Sequence, residues 1–208
     1  MTKTIAQSVK DFIGAPLRMI FLPDDASTRL GFTSLEEERL SAVRPWISGR
    51  LLDIGAGRNR LVREYGQGVG VDVVDLGGGA LIVPDTTVLP FPDASFDTVT
   101  FVASLNHIPE RDRALREASR VLRARGRVVV TMLDPVVSWI GHRIWWYSEE
   151  KHRGGMRRGE AYGFWPKQVR RYLSDAGFAI VAEQRFGYGL NRVYVGSKAA
   201  DGDPPWKP

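Results

Sequence analysis

The stretch Leu51-Leu52-Asp53-Ile54-Gly55-Ala56-Gly57-Arg58-Asn59 decides how the rest of the chain is read. A short apolar run ends at a carboxylate and then turns through two glycines one residue apart. Glycine has no Cβ, so it enters positive-φ geometry freely and lets a ligand lie against the main chain. A strand that ends in such a turn and feeds a helix presents backbone N–H groups that the helix itself leaves unused. Donors of that kind, at the positive end of a helix dipole, suit a nucleotide-type ligand. Glycine pairs also make ordinary turns, so the flanking sequence has to carry the reading further.

Downstream, apolar runs and helical stripes alternate. Gly68-Val69-Gly70-Val71-Asp72 reads as a second strand ending in an acid, and Ala80-Leu81-Ile82-Val83 as a third, ending in Pro84-Asp85. Residues 96–102 and 128–133 make a fourth and a fifth. Leu61, Val62 and Tyr65 suit a short helix stopped by Gly66. Pro109 opens a longer one whose Ala114, Leu115, Ala118, Val121 and Leu122 form one buried stripe, with Gly126 as its expected cap. Gly77-Gly78-Gly79 reads as a flexible connection, since it lacks the Lys-Ser/Thr of a P-loop. Pro166 starts a last helix with Val169, Tyr172, Leu173 and Ala176 inward, and residues 178–181 and 192–195 form a terminal strand pair. Continuous β-branched runs suit parallel strands covered on both faces. The pattern predicts one α/β domain, a Rossmann-like open sheet of mostly parallel strands with helices on both faces and an antiparallel C-terminal strand.

Upstream, residues 1–49 read as an N-terminal helical lid or arm. Ile5, Val9, Phe12 and Ile13 have helical spacing, and Ser34-Leu35-Glu36-Glu37 is a capping box opening a helix that buries Leu35, Leu40 and Val43. Residues 50–198 form the main domain. Within it, 134–165 is an aromatic insert with Trp139, Trp145, Trp146 and Tyr147, followed by a basic loop over 151–159. Aromatic side chains give large apolar contact at small entropic cost, which suits a cap over a small-molecule acceptor; a packing helix or a peripheral membrane contact are the other readings. Residues 199–208 read as a loose tail.

Composition narrows the classes. The 208 residues are 43% hydrophobic, enough for a substantial core, and contain no cysteine, which excludes disulfides, thiolate metal sites and cysteine nucleophiles. The net charge of +5 comes from arginines interleaved with acids, as in Arg111-Asp112-Arg113, and so reads as a solvated helix face rather than a nucleic-acid surface. No run approaches the ~18 apolar residues of a membrane span, and a soluble, cytoplasmic protein is expected. The three histidines, His107, His142 and His152, are scattered, which argues against a metal centre.

In open α/β sheets ligands lie at the carboxyl ends of the strands. Polar groups fall at four such ends: Asp53 to Gly57, Asp72, Asp85, and Ser104 to His107. Asp72 lies 17 residues after Gly55, close to the ~20 at which an acid takes ribose hydroxyls in dinucleotide folds. Asp-Ile-Gly-Ala-Gly at 53–57, Gly-Val-Asp at 70–72, the Asp85 to Phe91 run, Pro92 to Asp97, Leu105 to Pro109, Glu117 to Leu122 and Gly126-Arg127-Val128 follow in order. In that order they resemble a class I S-adenosylmethionine-dependent methyltransferase of the small-molecule type, over about residues 50 to 133.

The resemblance implies a role for each matching position. Gly55 and Gly57 would let the backbone touch the methionine portion of S-adenosylmethionine, with Asp53 orienting the turn or meeting its amino group through water. Asp72, followed by Val73, would hold the ribose hydroxyls. Asp85 would accept from the adenine amine with the Thr86 N–H beside it, and Ser104 would line the sulfonium end. Asp97 reads as structural. Where the family places a third glycine this chain has Asn59, a residue that tolerates left-handed geometry. His107 is the candidate general base, against the alternative that it binds a loop carbonyl.

Three other classes share parts of this pattern. A nicotinamide dehydrogenase wants a small residue where Arg60 stands. An amino-methylating nucleic-acid enzyme resembles an Asn/Asp-Pro-Pro-aromatic loop where this chain has Ser104-Leu105-Asn106-His107. A non-catalytic cofactor-binding protein on the same fold would share every feature above.

Overall fold

The computed structural model describes residues 4–14, 24–136, 138–139 and 158–199. Seven strands form one sheet: β1 (Leu51–Ile54), β2 (Gly68–Asp72), β3 (Leu81–Ile82), β4 (Phe96–Val102), β5 (Leu122–Leu133), β6 (Phe178–Phe186) and β7 (Asn191–Lys198). Their order is β3-β2-β1-β4-β5-β7-β6. The first five are parallel; β7 runs antiparallel to β5, and β6 antiparallel to β7. From β1 the chain builds outward to β3, then returns to start β4 on the other side of β1. Strand order therefore reverses between β1 and β4, where this architecture opens a crevice.

Helices cover both faces. They are α1 (Ile5–Ile13), α2 (Asp24–Arg29), α3 (Leu35–Val43), α4 (Arg60–Tyr65), α5 (Arg111–Val121) and α6 (Pro166–Asp175). One core gathers Ala114, Leu115 and Ala118 of α5 and Val169 and Leu173 of α6 against Phe101, Val128 and Tyr194. The other gathers Leu40 and Val43 of α3 and Leu61 and Val62 of α4 against Leu51, Val129, Val193 and Val195. Alternating side chains of β1, β5 and β7 feed the two cores in turn, as the pleat requires. Leu40 and Val43 thus pack the helix over residues 35–43 onto the sheet.

Several local readings change. Ser34 caps α3, its Oγ accepting from Glu37 N at 3.1 Å, but Glu37 does not reach back; its carboxylate pairs with Arg44 and Arg60. Gly126 does not cap α5. That helix ends at Val121, and Leu122 already pairs with Phe96 of β4. An irregularity between Phe96 and Thr98 then brings β5 into regular register, with Arg125 at φ 61°. Gly126 is required there because a Cβ would press on the Arg123 carbonyl oxygen at 2.8 Å and Leu122 Cδ2 at 2.9 Å.

The N-terminal helix forms over the expected residues with its apolar face turned outward. Ile5, Phe12 and Ile13 are 85%, 67% and 76% exposed, while Asp11 is fully buried. The Asp11 carboxylate accepts from Thr33 N (3.0 Å), Thr33 Oγ1 (2.6 Å) and Gln7 Nε2 (2.9 Å), so the polar face is the one bolted to the body. Val137, Ile140, Ile144, Trp145, Trp146, Tyr147, His142, His152 and residues 199–208, apart from 199, lie outside the described residues. No helix among the described residues is long and apolar enough to cross a membrane.

Candidate functional site

The turn after β1 is held from beneath. Gly55 N and Ala56 N both donate to Val71 O, at 2.9 and 3.0 Å, and Gly57 N donates to Asp72 Oδ2 at 2.8 Å. Three N–H groups of the turn are thus spent on β2. The turn presents bare backbone instead. Gly55 sits at φ +75°, and a Cβ there would collide with the Ser104 side chain. Gly57 sits at φ +54°, and a Cβ there would meet nothing within 4 Å. Gly55 is thus a packing requirement, and Gly57 leaves open surface at the crevice.

Asn59 takes the left-handed conformation, φ 56° and ψ 29°, as the N-cap of α4. Its Nδ2 donates to Gly79 O at 3.2 Å. Gly78 packs directly on the Arg58 carbonyl. The glycine run is therefore a connection, as expected, but one pressed closely onto the turn. Arg60, beside Asn59, points away into ion pairs with Glu36, Glu37 and Glu64.

Asp53 is 3% exposed, and its Oδ1 accepts from Thr100 Oγ1 at 2.6 Å. Burial pushes this carboxyl up to about 7; the Thr100 hydrogen bond opposes the shift, and the nearby Asp72 charge adds to it. Asp72 ends β2 with both oxygens engaged, one on Gly57 N and the other on Val74 N at 3.1 Å. Each carboxylate oxygen has a second lone pair, so acceptor capacity remains. Val73 beside it is 40% exposed.

Asp85 folds back on its own loop, accepting from Thr87 N (2.8 Å) and Thr87 Oγ1 (2.7 Å). These two bonds, the hydroxyl's first, hold its pKa below the ordinary aspartate value. Thr86 is buried. The run that follows is fixed by α5: Glu117 accepts from Leu89 N at 2.7 Å, and Arg120 donates to Leu89 O and Phe91 O at 3.2 and 2.9 Å. Asp97 accepts from Arg50 N and pairs with Arg123, the structural part expected of it.

Ser104, nearly buried, donates to Ile54 O at 2.5 Å and forms the floor under Gly55. His107 follows on a 3₁₀ turn, Leu105–His107. Its Nε2 lies 3.1 Å from Asn106 Nδ2, and its Nδ1 lies 3.6 Å from the carboxylate of Glu160, whose side chain is 3% exposed. Asn106 and Ala161 exchange two hydrogen bonds, of 2.9 and 3.2 Å, and Arg111 donates to Gly159 O. One ring nitrogen therefore meets Asn106 and the other faces Glu160, within a polar joint that seats residues 158–161. Glu160 was not legible beforehand, because its partner lies on another element, 53 residues away in sequence.

Asp53, Gly55, Gly57, Asp72 and Ser104 thus converge around the ends of β1, β2 and β4. Asp85 and Thr86 stand on the loop after β3. Among the described residues no group of three His, Asp or Glu could hold a metal ion. An apolar groove of about 710 Å³, lined by Ala6, Val9, Lys10, Ile13, Gly14 and Phe32, lies along α1 and does not include the glycine turn.

Residues 52–130 match the family described as a methyltransferase domain. A ubiquinone/menaquinone biosynthesis C-methyltransferase of Hahella chejuensis is 28% identical over 168 residues, which are 74% of this chain and 63% of that protein. The 27-O-demethylrifamycin SV methyltransferase of Amycolatopsis mediterranei is 31% identical over 140 residues, 56% of this chain and 51% of the relative. This chain therefore spans between about half and two thirds of those two proteins. A solved methyltransferase of Thermotoga maritima, described as a possible histamine N-methyltransferase, superposes with a TM-score of 0.61 at 22% identity, covering 78% of this chain and 88% of that one. Residues 52–130 thus resemble a methyltransferase domain, and the fold is that of solved S-adenosylmethionine-dependent methyltransferases.

Proposed function

We propose that this protein transfers the methyl group of S-adenosylmethionine to a small, partly apolar acceptor. The observation that carries the reading is the Asp72 carboxylate, drawn under Gly57 N beside the open backbone surface of the turn. A ligand lying along Gly57 would meet main chain on one side and an acceptor-rich carboxylate on the other. That arrangement fits the ribose and methionine portions of the cofactor. Val73 and Thr86 stand where the adenine would lie, with Asp85 as the acceptor for its amine. The bound cofactor would supply an already activated methyl group.

What remains for the protein is alignment, which can supply roughly 7–11 kcal/mol of the barrier. Ser104 and the loop after β4 border the methyl-transfer end, and residues 134–165 are assigned to cap the acceptor. The two relatives are named for ubiquinone/menaquinone biosynthesis and for 27-O-demethylrifamycin SV. Both are compatible with a partly apolar acceptor. His107, facing Asn106 and Glu160, is assigned to the loop's architecture ahead of proton abstraction.

Calorimetric titration tests the assignment. Wild type should bind S-adenosylmethionine and S-adenosylhomocysteine, and Asp72→Ala should weaken both at least tenfold, the equivalent of one charge-assisted hydrogen bond. No binding to wild type at high micromolar cofactor would sink the enzymatic reading. Unchanged affinity in Asp72→Ala would sink the ribose role alone.

A further inference from the structure

Asn191 opens β7 and is fully buried, yet neither its side-chain oxygen nor its nitrogen meets a hydrogen-bond partner. Burying a carboxamide with both ends unsatisfied is expensive, so the group calls for a partner, a bound water or a ligand. Its place in the sheet says which ligand. Asn191 pairs with Leu133, two residues beyond Thr131, which pairs with Val102 of β4. Asn191 is therefore level with Ser104 and two strands away, about 10 Å across the sheet.

The face is the right one as well. Asp53 pairs with Thr100, Thr100 with Val129, and Val129 with Val195, and paired residues share a face. Val195 and Asn191 are four apart on one strand, so Asn191 points to the same side as Asp53. On the methyl-transfer reading Gly55 and Ser104 would border the methionine end of the cofactor, and Asn191 lies beyond them across the sheet, at the same end of the strands.

We propose that the Asn191 carboxamide is the polar recognition point for the acceptor. It would pair with a group offering a donor and an acceptor side by side, such as a carboxamide or a hydroxyl next to a carbonyl. An asparagine amide is self-complementary to such a group, forming two hydrogen bonds in one plane. This inference rests on the methyl-transfer reading and specifies the acceptor's chemistry.

The test uses the full chain loaded with S-adenosylhomocysteine, with salicylamide as the probe and toluene as its apolar counterpart. In wild type, salicylamide should shift the Asn191 side-chain amide signals in a ¹H–¹⁵N spectrum, and toluene should not. In Asn191→Leu, salicylamide affinity should fall about tenfold or more while S-adenosylhomocysteine affinity stays the same, because the lost pair leaves the probe's polar groups unmatched. An unmoved Asn191 signal in wild type overturns the proposal. So does an Asn191→Leu protein that binds salicylamide as before and merely gains thermal stability, the mark of an amide with no ligand. Failure of wild type to bind S-adenosylhomocysteine would strike the methyl-transfer reading, whereas binding with a silent Asn191 strikes this inference only.

Discussion

Replacing Gly55 and, separately, Gly57 with alanine should produce opposite phenotypes from the same added atom. Both glycines have positive φ, so alanine costs about 1–2 kcal/mol of backbone strain at either position. At Gly55 the new Cβ also runs into the Ser104 side chain, which is nearly buried and tied to Ile54 O. Overpacking of that kind adds about 1–3 kcal/mol. Gly55→Ala should therefore lose about 2–5 kcal/mol in all. At Gly57 the Cβ meets no protein atom within 4 Å, so only the strain remains. With a urea slope of ~2 kcal/mol/M, a loss of ~3 kcal/mol lowers the unfolding midpoint by ~1.5 M. Gly57→Ala, at ~1–2 kcal/mol, should lower it by only ~0.5–1 M, while weakening S-adenosylhomocysteine binding more than its stability loss explains. The clash can be isolated with Ser104→Gly: in that background Gly55→Ala should cost only its strain, a coupling of about 1–3 kcal/mol. Equal destabilisation by the two alanines, or no coupling to Ser104, would refute the assignment of Gly55 to packing and Gly57 to the ligand.

Two further predictions follow from the buried and bridging charges. Asp53, with its folded pKa pushed up to about 7 against 3.8 ordinarily, holds a proton in the folded state that the unfolded chain releases from pH ~4 upward, so its contribution to stability declines between those values. Three units at ~1.36 kcal/mol each bound the decline at ~4 kcal/mol. Asp53→Asn should flatten that segment of the urea-midpoint profile between pH 5 and pH 8, and an unchanged slope would show that Asp53 is not its source. Arg120→Met should loosen the Leu89–Asp93 run and cost about 2–3 kcal/mol, since the guanidinium bonds Leu89 O, Phe91 O and Asp93 as well as Glu117. Hydrogen exchange at Leu89 N should accelerate with it; unaltered protection there would contradict the bridging role.

The elements that could be read from residue order alone are those whose cause is local. The strand over 96–102, the Gly66 stop and the left-handed Asn59 all follow from neighbours within a few positions. Where a distant partner decides, local pattern misleads. Leu122 to Gly126 continues the helical stripe of α5, yet pairing with Phe96 draws Leu122 into a strand. The spacing of Ile5, Val9, Phe12 and Ile13 shows that α1 is amphipathic but not which face turns inward, and Asp11 with Thr33 settles that. The residues proposed for the cofactor were legible because they fall at or just beyond strand ends. Glu160 and Asn191 were not, because His107 and β5 reach them only through the folded sheet.

The contact between Asn59 and Gly70 carries a consequence for how this site tolerates change. A Cβ on Gly70 would overlap Asn59 Oδ1 and come within 2.7 Å of the Ala56 Cβ. The bulk that this chain places at 59 is accommodated by the missing side chain at 70 on the neighbouring strand. A glycine at 59 would relieve only the Asn59 overlap; the Ala56 Cβ would still press on any side chain placed at 70. A variant that carries a third glycine in this turn should therefore keep the glycine at 70.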